Sequence, residues 1–295
     1  MSVQVPQLRG EAAVGDDPEH GGRELPVIVI DGSASWRLWW SDLFVYRGAL
    51  QSLARRNVQS RYKQAALGVT WALLQPAIQV GVFTLLFGML AKIPSDGVPY
   101  PLFALAGLLP WNLFQKTTSD GAQSLVTYQT VISKLYFPRI YLVLASAASA
   151  LVDAAVTVVF FLAAMLWYGV HPGARMLLAI PALGGVLLFA LGFAALLAGI
   201  NARWRDVQHT LPFLMQVGLY VTPVIYRTSF VPEKWRWLLA LNPLTALVEI
   251  FRAAALGLAM PDAYTVLASL GVSLVMIVTG VLYFRRTEAT VVDVL

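Results

Sequence analysis

Hydrophobic positions occur in long runs along most of the chain, and six of these runs reach the length of a membrane-spanning helix. A helix needs about 20 mostly apolar residues to cross the bilayer core. The runs are too long and too continuous for the short alternating strands of a membrane barrel. The pattern therefore predicts an all-α polytopic membrane protein. The six predicted spans cover residues 67–91, 101–126, 141–168, 176–201, 207–226 and 264–284.

A seventh apolar run, residues 235–256, is interrupted near its middle by Asn242 and Pro243. Proline removes a helical hydrogen bond and disfavours helix at the residue before it. Each half is too short to span, and the charges of Glu249 and Arg252 are costly at membrane depth. We therefore predict an external re-entrant helical hairpin before the last span.

A polar segment, residues 36–64, leads directly into the first span. Helical spacing places Leu50, Leu53 and Val58 on one stripe, and Gln59 falls on another face. This amphipathic pattern predicts an interface helix, which lies at the membrane surface with its cations at head-group depth. Those cations are Arg55, Arg56, Arg61 and Lys63.

The ends of the chain differ from this apolar middle. Residues 1–35 begin with a polar stretch rich in glycine, proline and acid, which predicts a disordered or weakly ordered tail. No apolar core follows a basic start, so the segment is not a signal peptide. We assign residues 65–286 to a transmembrane domain and residues 287–295 to a second tail.

Positive charge orients the predicted spans. With six spans and the N-terminus inside, 14 of the 21 Lys and Arg residues fall in inside segments and six in outside segments. This distribution follows the positive-inside rule. A seventh crossing would move Arg285 and Arg286 outside, against that rule. Both termini are therefore predicted to be cytoplasmic.

Composition agrees with a membrane protein and excludes several kinds of chemistry. Hydrophobic residues make up 58% and charged residues 13% of the chain, whereas soluble domains carry about 25% charged residues. The absence of cysteine excludes disulfides and thiolate metal sites. No GxxxxGK[ST], HExxH or GxSxG motif is present. We predict no catalytic residue and no metal site, so any ATP is hydrolysed by another chain.

Three ionisable residues lie inside the predicted spans. Lys116 and Asp120 are one helical turn apart, so they either line a polar path or neutralise each other as an (i, i+4) pair. Asp153, midway along the third span, either lines a path or makes a structural hydrogen bond. Pro110 is expected to kink or open the second span near its external end, beside Trp111.

Two further features concern possible contacts. The stretch from Thr127 to Pro138 is long enough for a short helix parallel to the membrane, although it also fits an ordinary cytosolic turn. Tyr226 and Trp235 belong to aromatic clusters that anchor at membrane interfaces, with sugar stacking as the alternative.

Six motifs in this order resemble the membrane subunit of type-2 ABC exporters, and most closely the exporters of O antigen, capsule or teichoic acid. The resemblance runs from about residue 25 to the C-terminus, with two departures at Asn57 and Arg227. Relatives have aspartate at the first position and often proline at the second. The motifs are RYKQxxLGxxWxxxQP (61–76), LPW (109–111), SLVxxxxxISKxYFPR (124–139), RxRDV (203–207), TPVIY (222–226) and LNPLTALVEIFR (241–252).

The resemblance implies a multi-pass permease of the bacterial inner membrane, built as a homodimer that binds two ATPase subunits. ATP and Mg²⁺ then bind to the partner, with no cofactor in this chain and no nucleic acid. The implied substrate is a polysaccharide on a polyprenyl diphosphate lipid. The implied coupling helix to the ATPase includes Thr127, Lys134, Tyr136, Phe137 and Arg139. The implied external gate or path candidates are Pro110, Trp111, Tyr226, Trp235, Asn242 and Pro243.

The basic segment agrees with such a substrate. A diphosphate is negatively charged, and Arg55, Arg56, Arg61 and Lys63 stand where it would arrive. General attraction to anionic lipid explains the same charges equally well. The rival functions are export of another cargo, such as a drug or peptide, or a membrane glycosyltransferase or ion-driven flippase. The last two need catalytic carboxylates or several buried ionisable groups, which the sequence does not show.

Overall fold

The computed structural model describes residues 46–63, 70–132 and 137–288, except for the side chain of Lys63. No strand occurs in these three ranges. The predicted tail 1–35, residues 36–45, Lys134, Tyr136 and residues 289–295 lie outside them. The α-helices are α1 (Arg47–Lys63), α2 (Thr70–Phe83), α3 (Tyr100–Thr127), α4 (Gln129–Ile132), α5 (Ile140–Trp167), α6 (Ala179–Arg203), α7 (Val207–Val221), α8 (Glu233–Ala240), α9 (Pro243–Leu256) and α10 (Ala263–Glu288).

Each predicted span coincides with a helix, although several ends differ. A π-helix, Thr84–Leu90, extends α2, and a 3₁₀ turn, Ala174–Leu178, precedes α6. In the fifth predicted span the helix is shorter than the span, because α7 ends at Val221 and not at Tyr226. Thr222 is extended, as expected for a residue that precedes a proline.

Four segments in the described part of the chain are long and apolar enough to cross a membrane: Thr70–Leu90, Ile140–Trp167, Ala174–Arg203 and Ala263–Glu288. The bent pair α8 and α9 makes a fifth if it forms one span. Helix α3 has 28 residues but is rich in polar side chains, and α7 has only 15 residues. The prediction of six spans therefore stays a prediction.

Helix α3 lies at the centre of the fold and packs mainly against α5 and α6. Its first half is buried on nearly every side. It continues without a break through the buried Pro110, so the helix does not open at this residue, while the expected kink stays a prediction. Trp111 is buried and lies against Gly218 of α7.

Helices α6 and α10 cross at two glycines. A Cβ atom on Gly280 would come within 2.0 Å of the carbonyl oxygen of Gly192, and one on Gly192 would come within 2.7 Å of the Ile277 Cα atom. Small residues allow this close backbone approach, as in other helical membrane proteins. The contact holds the last helix against the centre of the fold.

Helix α1 runs along the first half of α5. The predicted apolar stripe is confirmed: Leu53 is buried, and Leu50 and Ala54 pack against the same hydrophobic cluster. Gln59 is exposed on the opposite side, as predicted. The apolar face of α1 is thus covered by protein, while its position in a membrane interface stays a prediction.

Candidate functional site

Two of the four cations proposed for head-group binding stand on the open side of α1. The side chains of Arg55 and Arg56 are exposed. The guanidinium of Arg56 lies over the ring of Tyr128, 5.4 Å from its centre, which is a cation–π contact. Because both arginines lie on the exposed side of α1, their charges are accessible to an anion.

Arg61 is placed differently, because it forms an ion pair with Asp153 of α5. The guanidinium and carboxylate atoms are 2.7 Å apart. The hydroxyl of Tyr62 donates a hydrogen bond to the same carboxylate. Burial, together with the bond to Asp153 and the charge of Asp153, raises the pKa of Tyr62 to about 12. Asp153 therefore makes the structural bonds considered for it, and because it also lines a polar cavity of about 270 Å³, a path-lining role stays a prediction.

Asn57 makes a second connection between α1 and the rest of the fold. Its amide nitrogen donates to the Ala145 carbonyl of α5 at 3.0 Å, and its amide oxygen accepts from the hydroxyl of Tyr128. Burial raises the pKa of Tyr128, which keeps this hydroxyl protonated. Aspartate, which the resemblance predicts at this position, cannot donate to a carbonyl, so asparagine suits the site.

The predicted pairing of Lys116 with Asp120 is confirmed. Their charged atoms are 2.6 Å apart, and the Asp120 carboxylate also accepts from Ser149 of α5 at 3.3 Å. The pair borders two polar cavities of about 360 Å³ and 270 Å³. Both cavities are also lined by Arg61. The two cavities are therefore lined by the same three residues that the sequence indicated as candidates, Arg61, Lys116 and Asp120.

The segment proposed as a coupling helix is a single helical turn in its described part. Thr127 ends α3 and does not begin a new helix, and α4 covers only Gln129–Ile132. Phe137 is buried in the cluster around Leu53. Lys134 and Tyr136 lie outside the described residues.

Arg139 attaches this segment to the end of the last helix. Its backbone N–H donates to the Glu288 carboxylate at 2.8 Å, and its guanidinium donates to the Glu288 carbonyl oxygen. Phe137 and Arg139 thus hold the segment to the fold. Contact of either residue with an ATPase stays a prediction.

The predicted break at Asn242 and Pro243 is confirmed. Helices α8 and α9 meet at a bend of 100°. The Asn242 side chain caps α9 by accepting from the Leu244 N–H at 3.0 Å, and it donates to the Thr222 hydroxyl at 2.9 Å. Pro243 occupies the first helical turn, where its missing N–H is harmless.

The aromatic candidates near this bend differ in exposure. Trp235 is about half exposed. Tyr226 donates to the carbonyls of Tyr220 and Val221 at 3.2 Å. These contacts fold the chain after α7 back onto the helix end.

The buried contacts of Arg252 were not predicted from the sequence. This arginine is fully buried, donates to the carbonyls of Pro223, Val224 and Tyr226, and lies 4.0 Å from the centre of the Phe103 ring. Glu249, one turn earlier, accepts from the backbone N–H of Thr228 at 2.8 Å. The sequence signal that could have indicated these contacts is the pair of charges, Glu249 and Arg252, three residues apart in an otherwise apolar helix.

Arg227, the second departure from the resemblance, also has a structural role. Its guanidinium donates to the Asp96 carboxylate and, at 3.0 Å, to the Ala259 carbonyl. Proline at this position could make neither bond. The arginine therefore joins three loops that lie at the same end of the fold as Arg252.

Comparison with known proteins gives a family for this architecture. The family described as ABC-2 type transporter matches residues 48–256. The O-antigen export system permease protein RfbA of Myxococcus xanthus is 30% identical over 253 residues, which cover 84% of this chain and 96% of that protein.

More distant relatives point the same way. A Klebsiella pneumoniae protein of the same name is 24% identical over 201 residues, which cover 68% of this chain and 77% of that protein. The polysialic acid transport protein KpsM of Escherichia coli is 20% identical over 217 residues, which cover 73% and 84%. Because the family match spans residues 48–256, which is more than half of the chain, this helical chain belongs to the ABC-2 type transporters.

Proposed function

We propose that this chain is the membrane permease of an ATP-driven exporter that moves polyprenyl-diphosphate-linked polysaccharide out of the cytoplasm. The polysaccharide that we propose is O antigen. The observation that carries the proposal is the similarity over 96% of a permease whose name states O-antigen export. The open cationic face of α1 supports an anionic lipid head group at the entry side.

Arg55 and Arg56 are the groups proposed to contact the diphosphate. Charge-assisted hydrogen bonds between guanidinium and phosphate oxygens are strong and directional. Arg61 already pairs with Asp153 at 2.7 Å, so its role is to hold α1 in place. Lys63 is kept as a candidate on its sequence position alone.

Six crossings give the topology that this function requires. Helix α3, with 28 residues, is about 42 Å long at 1.5 Å per residue and exceeds the hydrocarbon core of about 30 Å. Its polar groups face the cavities beside α1 and α5. Helix α7 and the turn that follows it complete the fifth crossing. Helices α8 and α9 then form the external re-entrant pair, with both termini in the cytoplasm.

The proposed assembly has two copies of the chain and two ATPase subunits, which bind ATP and Mg²⁺. The segment from Thr127 to Arg139 contacts the ATPase, and movements there reach the spans through α3 and α5. Large apolar side chains on α2 and α7, such as Trp71, Ile78 and Phe213, are exposed in the single chain. These faces suit packing against the second copy around the polymer path.

The test is export in cells that lack the gene. Restoring the gene should restore surface polysaccharide, and the double variant Arg55→Gln with Arg56→Gln should restore much less at equal protein level. The matched control is Lys92→Gln with Arg175→Gln, which removes the same charge at two exposed positions on the side proposed to be external. Normal surface polysaccharide in the deletion strain would overturn the function.

A second candidate cargo is polysialic acid, because KpsM, whose name states polysialic acid transport, is 20% identical over 217 residues. Purification of the complex distinguishes the two cargoes. A polyprenyl diphosphate found by mass spectrometry on the co-purified glycan supports the O-antigen type. Co-purification of an ATPase subunit with either glycan tests the proposed assembly.

A further inference from the structure

Two polar cavities of about 360 Å³ and 270 Å³ lie side by side between α1, α2, α3 and α5, and Arg61, Lys116 and Asp120 line both of them. We call the two together the polar cavity. Small-molecule sites typically have volumes of about 300–1,000 Å³, so the polar cavity holds a small ligand or a short piece of a larger one.

The charges that border the polar cavity cancel one another. Arg61 is 2.7 Å from Asp153, and Lys116 is 2.6 Å from Asp120. An anion entering here would have to separate a cation from its carboxylate, which costs free energy. A cation would meet the same obstacle from the arginine and the lysine. The lining therefore favours a ligand without net charge.

The remaining lining is dense in amides and hydroxyls. Gln123 and Gln75 line the two cavities, and within the described residues neither side chain is bonded to another group of the chain. Asn112 donates to Gln79 at 3.1 Å, which leaves its amide oxygen to accept. Gln115 accepts from Trp111 at 3.2 Å, which leaves its amide nitrogen to donate. The wall therefore offers both donors and acceptors, which a polyhydroxylated ligand requires.

The polar cavity also adjoins the proposed diphosphate site. Asn57 and Ser60 of α1 line it, and they follow Arg56 by one and four residues. At 1.5 Å per residue this separation is about 2–6 Å along the helix. In a diphosphate-linked glycan the first sugar is bonded to the phosphate itself. A diphosphate on Arg55 and Arg56 therefore brings that sugar to the mouth of the cavity.

We infer that the polar cavity binds the sugar residues next to the diphosphate of the lipid-linked glycan. This inference rests on the proposed function and adds a neutral sugar subsite beside the cationic one. The amides of Gln75, Asn112 and Gln123 are the groups that contact sugar hydroxyls. The two ion pairs keep the cavity open and neutral.

Photo-crosslinking in living cells tests the inference on the complete exporter. A benzophenone amino acid replaces Gln123, which lines the cavity, or Leu188, a residue of α6 that is 61% exposed and outside the cavity. After irradiation, the purified permease is stained for carbohydrate. We expect a carbohydrate-bearing adduct at position 123 and none at position 188.

A binding measurement gives a second, independent readout. The probe is the lipid-linked glycan extracted from cells that lack the permease gene. With the complex in proteoliposomes, Gln123→Leu should raise the glycan concentration that half-maximally stimulates ATP hydrolysis by about two- to tenfold, the value of one lost hydrogen bond. The control Leu188→Met should leave this concentration unchanged.

The outcomes separate the inference from the proposed function. An adduct with phospholipid only, or no carbohydrate at position 123, overturns the sugar subsite while export by the restored gene still supports the exporter. An unchanged half-maximal concentration in Gln123→Leu overturns it as well. Surface polysaccharide that persists without the gene overturns the exporter itself.

Discussion

The side-chain amide of Asn57 joins α1 to α5 and to the turn after α3, because it donates and accepts at the same time. It donates to Ala145 at 3.0 Å and accepts from Tyr128. Asn57→Asp should lower the free energy of unfolding by about 1–3 kcal/mol, because the carboxylate cannot donate to the carbonyl. Thermal unfolding of the purified protein measures the loss. The exposed Gln59 offers the matched change, Gln59→Glu, and equal melting temperatures for both variants would contradict the role of Asn57.

Gly107 keeps the space into which Arg252 fits. A Cβ atom at this position would lie 2.2 Å from the Val224 carbonyl oxygen and 2.4 Å from an Arg252 guanidinium nitrogen. Gly107→Ala should therefore displace Arg252 from the chain after α7, at a cost of about 1–3 kcal/mol for overpacking. The melting temperature should fall in this variant.

Gly184 provides the control, because a Cβ atom there meets nothing within 4 Å. Gly184→Ala should leave the melting temperature unchanged or raise it, since alanine is favoured in helices by up to about 1 kcal/mol. If both alanine variants melt alike, the packing assigned to Arg252 is wrong.

At the scale of elements, the ion pair between Arg61 and Asp153 fixes α1 on α5. The side chains are 31% and 18% exposed. A double-mutant cycle with Arg61→Gln and Asp153→Asn should give a coupling energy of about 1–3 kcal/mol. The lower limit is the largest value typical of an exposed ion pair, and the upper limit is the smallest cost typical of breaking a buried one. The free energy of unfolding of the four proteins provides the coupling energy.

The pair within α3 supplies the comparison. Lys116 and Asp120 are neighbours on one helix, so the cycle with Lys116→Gln and Asp120→Asn should couple by only about 0.2–0.5 kcal/mol. A larger coupling within α3 than between α1 and α5 would show that the ion pair of Arg61 does not fix α1.

The elements themselves could be predicted from the sequence because their signals are local. Long apolar runs indicate helices, Asn242 and Pro243 mark a break, and the four-residue spacing of Lys116 and Asp120 implies their pairing. Contacts between distant segments could not be predicted in this way. Arg61 meets Asp153 and Arg252 meets the Val224 carbonyl only through the packing register of separate helices, and no local pattern specifies that register.

At the scale of the whole molecule, Arg139 connects the proposed ATPase-binding segment with the end of the last helix. The Arg139 backbone N–H donates to the Glu288 carboxylate at 2.8 Å. The buried Phe137 anchors the same segment to the cluster around Leu53. Because the segment is held at both places, a push from an ATPase would move α5 and α10 together. The contact is therefore placed to transmit motion.

Glu288→Ala should loosen this connection and lower export for each ATP hydrolysed. Loss of the carboxylate leaves the Arg139 N–H without its acceptor, so the segment moves with less effect on the spans. Export and ATP hydrolysis are measured together in proteoliposomes that contain the whole complex. The control is Glu233→Ala, since the Glu233 side chain is 89% exposed and pairs with its helical neighbour Arg236 at 3.6 Å. A parallel fall of both activities in Glu288→Ala would indicate lost assembly and would contradict a transmitting role.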